Sequence, residues 1–165
     1  MIVSYSLGSL LTINQILECS KKLNKIKPDT LWIPETWGME NFSILSLACM
    51  ENKFSKIGSS IINIYSRSPS LIAMGAATVD TISNKRLVLG LGTSTKPLIE
   101  DFHGDKFEKP VKRMKECVEI IRLILTGKQI NYYGEIFSFK DFSLLIKPPR
   151  NTIQIYIAAI NQKRR

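Results

Sequence analysis

Short apolar runs alternate with amphipathic segments at a nearly constant interval, and this rhythm restricts the fold more than any other feature of the sequence. The apolar runs begin near residues 2, 30, 56 and 86, a spacing of 26 to 30. Runs bounded by turn residues predict strands, and the helical-period segments between them predict helices. Strands joined through helices pair in parallel, because a parallel pair needs a long crossover. A (βα)₈ barrel of ~250 residues allots about 31 residues to each unit, and the first four units match that repeat. A five-stranded doubly wound sheet fits the same rhythm, so periodicity alone leaves both open.

The strands are expected at Ile2–Ser6, Thr30–Ile33, Ile57–Asn63, Arg86–Leu91 and, buried like the fourth, Ile153–Ala159. Thr12 and Gln15 form a capping box that starts the first helix, with Ile13, Ile16, Leu17 and Leu23 on one face. Residues 41–52 form the second, with Phe42, Leu45 and Cys49 aligned. Ser68 caps the third and Pro69 occupies its first turn; Ile72, Ala76 and Val79 point inward and the helix runs to about Ser83. The longest helix spans about Pro110 to Thr126, with Val111, Met114, Val118, Ile121 and Leu125 at 3-4-3-4 spacing and Gly127 ending it. Tyr132-Tyr133-Gly134-Glu135 reads as a turn between two short strands, a hairpin excursion over about 129–147. Residues 1–165 are read as one domain.

Apolar residues make up 44% of the chain, enough for a core and against disorder. Lys and Arg number 23 against 14 Asp and Glu, a net charge of +9. The cations Lys21-Lys22, Lys25, Lys27, Lys112-Arg113 and Lys163-Arg164-Arg165 are scattered along the chain without interleaved aromatics, which argues against a nucleic-acid partner. Cys19, Cys49 and Cys117, odd in number and each in a helical pattern, read as reduced core thiols, and no zinc-ligand spacing occurs. No basic leader precedes the first apolar stretch, and no run reaches the ~18 residues of a membrane span. A cytoplasmic, membrane-free protein is expected.

The stretch RLVLGLGTS, 86–94, carries the clearest functional signal. Its turn, Gly92-Thr93-Ser94, falls at the carboxyl end of a buried strand, where α/β enzymes gather ligands. The Gly90-x-Gly92 pair lacks the third glycine of a dinucleotide fingerprint, since Thr95 stands there.

Seven segments in order resemble the luciferase-like oxidoreductases, in the branch that uses the deazaflavin coenzyme F420, close to the methylene-tetrahydromethanopterin reductases. They are LWIPETWG (31–38), YSRSPS (65–70), RLVLGLGTS (86–94), the series His103-Gly104, Phe107, Pro110, Arg113, Glu116, then VEIIRLIL (118–125), YYGEIF (132–137) and IQIYIAAIN (153–161). The resemblance implies an α/β chain forming an incomplete (β/α)₈ TIM barrel: four βα units, a fifth strand and the hairpin. It implies hydride transfer between F420 and a small organic substrate, or, in flavin-using relatives, FMN-dependent oxygenation. A non-catalytic fragment or a basic binding module is the reading left if no cofactor binds.

The resemblance also assigns roles. It places a backbone bulge at Ser60–Ile61, often with a cis peptide, behind the deazaflavin ring, with Asn63 just beyond. Gly92, Thr93 and Ser94 would meet the ring or its ribityl chain. Glu35 would bond the cofactor or carry a proton, although Thr36 stands where many relatives have His. His103 is a candidate acid–base group or a packing residue. From spacing alone, Arg113 and Glu116, three apart on a helix, could pair or dock the loop, and Arg67, beside a helix cap, could hold an anion or serve the structure. The likeness dissolves after Asn161, so a truncated product is expected, with open sheet edges that favour a homodimer or self-association.

Overall fold

The computed structural model describes residues 2–159. Five parallel strand positions lie side by side in chain order. β1 (Ser4–Ser6) pairs β2 (Thr30–Ile33), which pairs β3 (Lys56–Ser59). β4 (Ile62–Asn63) continues the third position, and β5 (Leu87–Gly92) pairs both β3 and β4. Between β5 and the last strand, β6 (Ile130–Tyr133) and β7 (Ser138–Phe142) form a separate antiparallel hairpin. β8 (Gln154–Ile157) then pairs β5 in parallel. A doubly wound sheet reverses its strand order at a switch point. This sheet never does, and α1 (Ile13–Lys22), α2 (Asn41–Glu51), α3 (Pro69–Ile82) and α4 (Pro110–Leu125) each pack on the next. That succession is barrel topology, and it decides between the two architectures that periodicity left open.

Local chemistry explains the elements. Thr12 and Gln15 form the expected reciprocal cap of α1. Ser68 accepts the N–H of Leu71 and Pro69 takes the first turn of α3. All six residues of β5 are buried, since helices cover one face and neighbouring strands crowd the other. Leu31, Ile33, Ile57, Leu89 and Leu91 meet Leu45, Ala48, Ile72, Ala76 and Val79 in the core. The three cysteines lie in α1, α2 and α4 as free thiols.

Three expectations are corrected. The third strand is not continuous from Ile57 to Asn63: it breaks between Ser59 and Ile62. The fifth strand is mostly exposed rather than buried, because no helix covers its outer face and no further strand pairs its free edge among the described residues. Ile13 and Val111 point to solvent, so each helix turns a slightly different stripe inward. In α4 that stripe is Met114, Cys117, Ile121 and Ile124. A π-helical turn over Leu98–Phe102, unanticipated in the sequence, leads from β5 toward α4. The terminal Lys163-Arg164-Arg165 and the end of IQIYIAAIN lie outside the described residues.

Candidate functional site

The break in the third strand is a bulge. Gly58 pairs Val88 and Ile62 pairs Leu91, so this strand holds one residue more than β5 over the same span. The Ser60–Ile61 peptide within it is cis. A bulge interrupts the ladder and would leave buried backbone groups of β5 unpaired. Ser59 supplies the missing partner: its Oγ accepts the N–H of Gly90 at 2.7 Å and donates to the Gly90 carbonyl at 2.9 Å. Gly90 must lack a side chain, since a Cβ there would lie 2.0 Å from the Ser59 carbonyl oxygen. At Gly92 the Ile61 side chain fills the same space.

The bulge borders a cavity of about 310 Å³ on the inner face of the sheet. Ser60 and Ile61 line it together with Trp32, Gly90 and Tyr156. The Trp32 ring lies across Gly58 and meets Tyr156 edge-on at 5.7 Å, giving the cavity an aromatic wall.

Behind the bulge sits an ion-pair cluster. Glu35 follows β2, and Arg67 reaches it with two guanidinium nitrogens, at 2.8 and 2.5 Å. Arg67 also holds Glu40 at 2.7 Å, and Glu40 caps α2 through the N–H groups of Phe42 and Ser43. The Glu35 carboxylate further accepts the Asn41 N–H at 3.0 Å and the Asn63 N–H at 3.5 Å. Its oxygens are therefore spent on protein partners, and the side chain ties β2, α2 and β4 together. Asn41 donates in turn to the Ile33 carbonyl. Asn63, 4% exposed, accepts from Tyr65, while its Nδ2 donor has no protein partner. Burial would push the Glu40 carboxyl up, but the bonds from Ser43 and Phe42 and the charge of Arg67 hold it below the usual range.

Thr93 and Ser94 are half-buried just past β5, and Ser94 takes a left-handed backbone conformation, φ 59°. His103 is exposed at the end of the π-helical turn, edge-on to Phe102 at 4.9 Å. Arg113 and Glu116 do not pair with each other. Arg113 stacks on Tyr65 at 4.4 Å and faces Asp105, whereas Glu116 is buried under the hairpin and accepts the N–H groups of Glu135, Ile136 and Phe137. The structure thus brings Ser60, Ile61, Asn63, Gly92 and Glu35 to one end of the sheet, and leaves His103 apart from the Glu35 cluster. Ser59, Asn41 and Glu40 were not singled out from the sequence. A lone serine beside a strand glycine is too common a pair to announce the bridge that Ser59 makes.

The sequence model of the luciferase-like monooxygenases matches residues 3–165. The chain belongs to that family. Within it, the 5,10-methylenetetrahydromethanopterin reductase of Archaeoglobus fulgidus is 40% identical over 136 residues, 82% of this chain and 40% of that protein. The solved coenzyme F420-dependent tetrahydromethanopterin reductase of Methanopyrus kandleri has a TM-score of 0.83 at 22% identity, covering 95% of this chain and 50% of that one. The FMN-bound oxygenating constituent of 3,6-diketocamphane monooxygenase from Pseudomonas putida has a TM-score of 0.80 at 14% identity, covering 95% and 51%. These two structures share the fold of this luciferase-like chain. The chain spans about 40% of the Archaeoglobus reductase and half the length of the two solved proteins.

Proposed function

We propose that this chain supplies the first half of a barrel in which coenzyme F420 exchanges a hydride with a small organic substrate. The observation that carries the reading is the bulge at Ser60–Ile61 on the cavity wall, at the position the family resemblance gives to the backing of the deazaflavin ring. The residues present fit one face of such a ring. Ile61, Trp32 and Tyr156 offer apolar surface on the cavity wall, and Asn63, just beyond the bulge and outside that wall, keeps a buried Nδ2 donor without a protein partner. Ser60, Ile61, Asn63, Gly92, Thr93 and Ser94 would hold the cofactor.

When bound, F420 supplies the hydride chemistry itself. The protein's part is to hold the ring against the bulge and keep one face open to substrate. Glu35 serves by fixing β4 through Arg67 and Asn63, and His103, the one imidazole of the chain, is the candidate for moving a proton. His103→Gln should lower turnover with little change in cofactor affinity. The described residues wall the cavity on one side, so the isolated chain should bind weakly and turn over slowly.

Fluorescence titration of F420 and of FMN into the folded chain tests this reading. Saturable F420 binding that is lost in Asn63→Leu supports it. A preference for FMN would overturn the F420 assignment, and no binding of either at tens of micromolar, in a sample with a cooperative melt, would overturn the cofactor site.

A further inference from the structure

The end of the sheet opposite the cofactor cavity carries a feature that hydride transfer does not use. Three connections meet there: residues 23–29 between α1 and β2, 52–55 between α2 and β3, and 83–86 between α3 and β5. Hydrogen bonds join them into one surface. Asn24 Nδ2 donates to the Glu51 carbonyl at 2.8 Å, and the Lys53 N–H donates to Asn24 Oδ1 at 2.9 Å. The Arg86 guanidinium crosses to the carbonyls of Ser83, Ser55 and Cys49, at 2.7, 2.6 and 3.0 Å.

Lys25, Lys27, Lys53, Lys56 and Lys85 are all exposed on this surface. Two acids lie near them: Asp29, already paired with Lys56 at 3.3 Å, and the half-buried Glu51 at the end of α2. Cations scattered along the sequence are therefore gathered at one end of the barrel. Two large apolar side chains stand among them, Ile26 at 70% exposed and Phe54 at 57%. The Lys27 ammonium lies 4.4 Å from the Phe54 ring.

We infer that this lysine-ringed apolar tip docks the protein onto an anionic lipid surface, with Ile26 and Phe54 entering the headgroup layer. The charges are lysines, point cations suited to a diffuse negative surface, and the guanidinium at hand is spent inside the loops. An exposed isoleucine has no stacking face for a base, yet it gains free energy on entering a lipid interface. A fixed platform presents both residues without an ordering cost.

The test is co-sedimentation of the full chain with phosphatidylcholine vesicles, with and without phosphatidylserine, over a salt series. Binding to the phosphatidylserine vesicles alone, weakening as salt rises, is expected. Lys25→Glu with Lys53→Glu should weaken it at least about tenfold, and Ile26→Ser with Phe54→Ser should weaken it with the net charge unchanged. Both double variants should keep the wild-type melting profile, since all four side chains are exposed. Equal pelleting with neutral and anionic vesicles, no pelleting with either, or unchanged binding by the apolar double variant would overturn the proposal. Tight, salt-sensitive binding to single-stranded RNA with vesicles ignored would overturn it in favour of a nucleic-acid surface.

Discussion

Arg67 shows how one side chain can tie several elements of a site together. It is nine-tenths buried and joins two carboxylates from different elements, so removing it strands a buried charge on Glu35. Arg67→Ala should cost about 3 kcal/mol in urea unfolding, and Arg67→Lys should recover little, because a point cation cannot span the same oxygens. Ser59→Ala should cost about 1–3 kcal/mol, because the N–H and carbonyl of Gly90 lose their partner together. Gly90→Ala should do at least as much harm, since the new methyl meets backbone rather than a movable side chain. The thiols behave oppositely to reactive ones: burial pushes Cys117 up to about 12 and raises Cys49 as well. Iodoacetamide at mildly alkaline pH should leave both unmodified in the native chain, as read by peptide mass spectrometry, and label them after unfolding.

Among the elements, the hairpin rests on the buried Glu116 carboxylate, which takes three of its N–H groups, with Tyr132–Glu119 and the Glu135 pairs to Lys109 and Lys112 outside it. Burial would raise the Glu116 carboxyl, but the N–H groups of Ile136, Phe137 and Glu135 outweigh that and hold it below the usual range. A carboxyl depressed by folding stabilises the protein above its unfolded value, and that contribution is lost as pH falls through the folded one. The docked hairpin should therefore loosen in acid, below about pH 4, before the sheet melts, as seen by hydrogen exchange at Glu135 to Phe137. Glu116→Ala should loosen it at neutral pH and remove that acid step. Strands and helices were legible in the sequence wherever burial set the pattern, as in Thr30–Ile33 and Pro69–Ile82. The bulge was legible only through family likeness, because Ser59-Ser60-Ile61 carries no local mark of an extra residue. The Glu35–Arg67 cluster was not legible as a cluster: its members lie 32 positions apart, and nothing in residue type names the partner. Exposure of the fifth strand was misread because an apolar run reports what a strand is suited to, not whether a neighbour covers it.

For the whole molecule, the two sheet edges that carry no partner strand among the described residues bear on self-association. β1 turns Val3 and Leu7 backbone groups toward β2, which leaves those of Ser4 and Ser6 facing outward. β8 is bonded to β5 through Ala158 and presents its other edge likewise. We propose that the 165-residue chain on its own pairs with a second copy through these edges. Sedimentation velocity should show dimers or larger species, and a monodisperse monomer with a high cooperative melt would count against it. The strict succession of strands has another consequence. Each strand position pairs with the one made just before it, so the sheet depends on no strand synthesised much later. Every pair is non-local, joining strands across a crossover, which makes the pairing itself slow, but synthesis from the amino terminus supplies the units in the order the sheet needs them. The chain can thus assemble on the ribosome one βα unit at a time, each new strand meeting a finished edge.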